Sequence, residues 1–141
     1  MRNLITPNLL KFTFATIILT IIFRVGLSTS ITNNMIIALI ICAVVYAVLM
    51  FFSGSYFGRK EYYEDLPILD VGFRFHLSTF VGHNLISIIW FKLGFESKYE
   101  NIKVVYITAI IWSVFLILHL IYYLSVRKSS IKNLDKDDIF E

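Results

Sequence analysis

The chain has 141 residues, 57% of them hydrophobic and 16% aromatic, with a mean hydropathy of +0.74 and a formal net charge of +3. That balance fits no soluble domain of this size, and its basic residues are spread in the manner of a positive-inside bias rather than a nucleic-acid-binding patch. A single cysteine, Cys42, excludes an internal disulfide and any paired-cysteine redox centre.

Four apolar runs fill most of the chain, at about 9–27, 35–53, 75–95 and 104–126. Each is long enough, at 1.5 Å per residue, to cross a hydrocarbon core of ~30 Å. They predict an all-α integral membrane protein, a four-helix bundle with up-down-up-down order. One transmembrane domain covers 1–126, and a polar tail follows at 127–141.

The first run follows a basic start and ends near the small residues Gly26-Leu27-Ser28, as a cleaved signal would. Arg24 directly after the apolar stretch favours a retained span. At 100° per residue Thr13, Thr16, Thr20 and Arg24 share one face. Such a stripe can bond to neighbouring helices, or line a pore between copies in which a ring of arginines would favour anions. Arg24, close to the run's end, can also snorkel to the headgroups. The uncharged stretch Ser28–Asn34 predicts a tight turn.

The second run is apolar throughout. Ala43 and Ala47, four apart, are its one candidate for close helix packing. A connector at 54–74 follows and carries Arg59, Lys60, Glu61, Glu64, Asp65, Asp70 and Arg74 around a short apolar tetrad. It is expected to lie along the cytoplasmic interface and to offer a surface to a partner. Asp70 and Arg74 stand one helical turn apart and can pair.

The third run carries a polar stripe of His76, Thr79, His83 and Ser87, with Asn84 beside it, and the fourth aligns Thr108, Trp112, Phe115 and His119. Polar groups in lipid must face other helices, so the first, third and fourth spans are expected to turn these faces to one another, leaving the second more exposed to lipid. Counted from the run ends, His83 and His119 fall at similar depth on antiparallel helices. Such a pair could hold a haem b iron or pass protons.

Basic residues number nine on the side shared by both termini (Arg2, Lys11, Arg59, Lys60, Arg74, Arg127, Lys128, Lys132, Lys136) against Arg24, Lys92, Lys98 and Lys103 opposite. This predicts both termini in the cytoplasm, in what is expected to be a bacterial inner membrane. No nucleophile elbow, zinc-binding helix motif or phosphate loop occurs, and the acids cluster outside the apolar runs. The chain is therefore expected to have no catalytic site, no metal and no resident cofactor. Its expected partners are the bilayer and either its own copies or another membrane protein, as a homo-oligomeric or accessory subunit. Electron or proton transfer through His83 and His119, and an ion pore, are the alternatives.

Overall fold

A computed structural model describes the backbone of residues 5–62 and 68–132, with side chains for 5–61 and 71–125. It is all-α: α1 runs Pro7–Thr32, α2 Ile36–Tyr62, α3 Ile68–Lys92 and α4 Ile102–Lys132. Four of the helix boundaries have a local cause. Thr6 caps α1 by accepting the Leu9 amide at 3.2 Å, and Pro7 occupies the first turn, where its missing N–H costs nothing. α1 and α3 both stop in the same way, on a residue in left-handed conformation: Asn34 with φ 55° and Gly94 with φ 72°. The amides of Met35 and Phe95 then reach back five residues to Ser30 and Trp90, and those of Asn34 and Gly94 reach Ile31 and Phe91. Asn101 opens α4 by accepting the Lys103 amide on its side chain.

Three helices, α1, α2 and α4, are long and apolar enough to cross a membrane. The described part of α3 is shorter and less apolar, being the segment that carries His76, Thr79, His83, Asn84 and Ser87. The packing explains how it can be so polar. Among the described residues α3 approaches all three other helices, whereas α4 packs closely on α3 alone. The four helices therefore form an open arrangement with a gap between α1 and α4, rather than a closed bundle.

α1 and α3 run parallel and form the interior. Every fourth residue of α1 from Asn8 to Ser28 is buried: Asn8, Phe12, Thr16, Thr20, Arg24 and Ser28. That stripe passes through three zones. At the start of α1 an apolar cluster of Phe12, Val71 and Phe75 is backed by Leu9, Met50 and Phe57. Hydroxyls and imidazoles fill the middle, and an ion pair closes the far end. Glycines set the closest helix approaches. A methyl on Gly82 would stand 3.2 Å from Thr16 Cγ2, and one on Gly26 would overlap Cys42 Sγ at 2.6 Å.

Several sequence expectations change here. The 54–74 connector is helical through Tyr62 and again from Ile68, because the helices continue past the apolar runs. Glu64 and Asp65 lie outside the described residues, as does the side chain of Asp70, so the Asp70–Arg74 pair does too. Arg74 sits half-buried on α3. Arg59 and Lys60 are exposed on the last turn of α2, where Lys60 donates to Tyr56 Oη at 2.7 Å. Glu61 is not on that surface: it turns inward, 1% exposed, with neither carboxylate oxygen partnered. On α2 the inward face is Cys42, Tyr46 and Met50, while Ala43 and Ala47 point outward.

Candidate functional site

The polar side chains of the helices assemble into three clusters inside the chain. The first is charged. Arg24 Nη2 donates to Glu100 Oε2 at 2.7 Å, and both side chains are 5% exposed. The loop between α3 and α4 folds back to deliver the carboxylate. Glu100 Oε1 accepts from Ser28 Oγ at 2.5 Å and from the Ser97 amide at 3.0 Å. Trp90 Nε1 donates to the same serine oxygen at 3.1 Å, and Thr32 donates to Ser97 Oγ at 2.9 Å. The guanidinium also lies 5.2 Å from the Phe91 ring centroid, within cation–π range. A buried charge pair needs partners for its remaining polar atoms, and here both Glu100 oxygens find them while Arg24 Nε does not. Arg24 therefore does not snorkel. It lies two turns inside the end of α1 and ties that helix to the loop.

The second cluster is a directed hydrogen-bond chain. The one hydroxyl proton of Thr20 goes to the Thr16 carbonyl at 2.7 Å, so its oxygen accepts from Tyr46 Oη at 3.1 Å. The Tyr46 proton is thereby used, and His83 Nδ1, 3.0 Å away, must be the donor to the tyrosine oxygen. His83 is thus assigned the tautomer protonated on Nδ1, with a lone pair on Nε2. Phe23 stacks on Tyr46 with ring centroids 4.5 Å apart and holds the phenol in place.

The third cluster joins α3 and α4. Trp112 Nε1, which can only donate, reaches His76 Nε2 at 2.6 Å. His76 then carries its proton on Nδ1 and donates to His119 Nδ1 at 3.3 Å. Gly72 makes room for His119, since a methyl there would lie 3.6 Å from the imidazole Cε1. Phe73 meets the same ring edge-on at 5.8 Å.

The opposition of His83 and His119 expected from run ends is not found. His119 faces His76, and His83 packs against Trp112 with ring centroids 5.6 Å apart. The register differs because α3 begins at Ile68, two turns before the apolar run does. The imidazole that meets His119 is thus that of His76, at 3.3 Å, and not that of His83. The proton-path alternative meets a gap. Between the His83 chain and the His76–His119 pair stands the Trp112 indole, which donates but has no acceptor site for a relay.

Other residues of the expected stripes act locally. Thr13 bonds the Leu9 carbonyl and meets Ser78 Oγ at 2.7 Å across to α3. Thr79 and Asn84 bond the carbonyls four residues behind them, those of Phe75 and Phe80. Thr16 and Thr20 are 0% exposed, and this part of the threonine stripe faces α2 and α3 of its own chain. Two participants were not singled out from the sequence. Tyr46 counts as apolar in a hydropathy pattern, and Glu100 sits in a loop that reads as solvated. Among the described residues no group of three or more metal-ligating side chains occurs. No known protein family, curated protein or solved structure matches this chain.

Proposed function

We propose that this chain is a non-catalytic subunit of a membrane assembly, working through helix contacts with its own copies or as an accessory to another membrane protein. One observation carries the reading. The polar groups of α1 and α3 largely close on one another within the chain, while the spanning windows of α2 and α4 contain no buried residue. What the chain offers outward is helix surface. Ala43 and Ala47 on that outer face of α2 let a second helix approach closely. The exposed Arg59 and Lys60 stand at the end of the same helix, suited to acidic partner groups or anionic headgroups. The excess of basic residues beside both termini supports a cytoplasmic membrane with both ends inside.

The test is the particle mass in a mild detergent or in lipid nanodiscs. A multiple of 16.4 kDa is expected for the purified chain. The variant carrying Ala43→Trp and Ala47→Trp should fall to the single-chain mass with unchanged helicity. A monomer that conducts ions or carries out electron transfer by itself would sink the reading.

A further inference from the structure

The gap between α1 and α4 is a built cavity. It encloses about 350 Å³ and is lined by Phe23, Arg24 and Leu27 of α1, Tyr46 of α2, Ser87 with its neighbours His83 and Asn84 on α3, and the start of α4 around Thr108. Because α1 and α4 do not approach each other closely among the described residues, it opens sideways between them. Two nearly buried residues of this lining keep polar atoms without a partner: Ser87 Oγ, on a residue 1% exposed, and Arg24 Nε, on a residue 4% exposed. Leaving such groups dry and unbonded costs about 1–3 kcal/mol each.

We infer that this cavity binds the headgroup of a neutral, carbonyl-bearing amphiphile that enters from the bilayer between α1 and α4. Charge decides against an anion, since the Arg24 cation is already balanced by Glu100 at 2.7 Å. Arg24 keeps N–H groups beyond the one given to Glu100, that of Nε among them, and Ser87 adds an O–H. Both suit a neutral carbonyl oxygen. The His83 Nε2 lone pair, left over by the directed chain through Tyr46, can accept from a hydroxyl on the same headgroup. Phe23, Leu27, Val104 and Val105 supply an apolar surround for a ring or the upper part of a tail. Two kinds of bilayer molecule share this chemistry, a quinone and a diacylglycerol.

The experiment titrates the full chain in nanodiscs with a benzoquinone bearing a decyl tail, following fluorescence of the Trp90→Phe variant, in which Trp112 on the cavity wall is the remaining indole. The expected result is saturable quenching. Ser87→Ala should weaken it about five-fold, the worth of one hydrogen bond, and Ser87→Leu should abolish the saturable part by filling the space. Thr108→Leu narrows the cavity from the opposite helix and should do the same if Ser87→Leu does not fold. Competition by dioctanoylglycerol identifies a diacylglycerol site, and its failure to compete identifies a quinone site; both keep the inference. Quenching that rises linearly with no saturable part, the mark of simple partitioning beside a water-filled cavity, overturns it. Saturation unchanged in both leucine variants also overturns it.

Discussion

At one end of the molecule Phe12, Val71 and Phe75 pack into an apolar cluster, with the Phe12 and Phe75 rings 4.6 Å apart. At the other end Arg24 and Glu100 form a buried ion pair ringed by Ser28, Ser97 and Trp90. In water the first would be the mainstay of the fold and the second a doubtful asset. In a bilayer the ranking reverses. Lipid tails are as apolar as leucine, so the phenylalanines gain packing but no transfer free energy from meeting each other. An unpaired carboxylate or guanidinium in the same place has no water to return to.

Removing one partner of the ion pair should therefore have the largest effect of any single change. Glu100→Ala strands the Arg24 cation and should lower stability by about 3–5 kcal/mol, as broken buried pairs do. Unfolding of the protein in bicelles, followed by helical circular dichroism, measures it. The double variant Arg24→Leu with Glu100→Leu should recover most of that loss, because no charge is left unpaired. Phe12→Ala should come second. Soluble cores lose about 3–5 kcal/mol for such a truncation, and without the transfer part about 2 kcal/mol is expected. If Phe12→Ala proves the costlier of the two, the comparison is broken and the chain does not fold as a bilayer protein.

How far the two ends were legible in the sequence follows from the same physics. The apolar runs place four helices, and the i+4 spacing of Thr16, Thr20 and Arg24 identifies the buried face of α1. A polar residue repeated every fourth position in an apolar segment has to face protein. The carboxylate that meets Arg24 was not legible, because nothing local marks a loop glutamate as folded inward. Tyr46 was hidden for a different reason. A phenol contributes to hydropathy as a hydrophobe and to hydrogen bonding as a donor and acceptor at once. The histidine pairing failed on register alone. Apolar runs end where composition changes, not where hydrogen bonding stops, and α3 begins seven residues before Phe75.

The zone between the two ends can be probed through its glycines. At Gly82 an added methyl would stand 3.2 Å from Thr16 Cγ2, a side chain held by its bond to the Phe12 carbonyl. Gly82→Ala should part α1 from α3 and cost about 1 kcal/mol, the low end for overpacking. Gly54 and Gly58 also face neighbouring helices, but a methyl at either meets its nearest atom at 3.8 Å, an ordinary contact. Alanine there should be neutral or slightly stabilising, since it raises helix propensity without a clash. Thermal unfolding of the three variants side by side separates tight packing from mere proximity.

Only a modest effect on stability is expected where the hydrogen-bond chain is most elaborate. Tyr46→Phe removes the hydroxyl between Thr20 and His83. Interhelical hydrogen bonds in membranes average about 0.6 kcal/mol, so unfolding should shift by about that much per bond lost. The spectroscopic consequence is larger. In the native chain the single Thr20 proton, spent on the Thr16 carbonyl, forces every later donor in the series and so fixes His83 with its proton on Nδ1. Without the phenol that constraint is gone. Nitrogen NMR of labelled histidine should then show His83 as Nδ1–H in the native protein and as a mixture of tautomers in Tyr46→Phe. His76 and His119 should be unchanged in the same spectra, because their tautomers are set independently by Trp112. A His83 signal indifferent to Tyr46, or one that moves together with His76, would show that the two histidine clusters are a single network and that the Trp112 indole does not separate them.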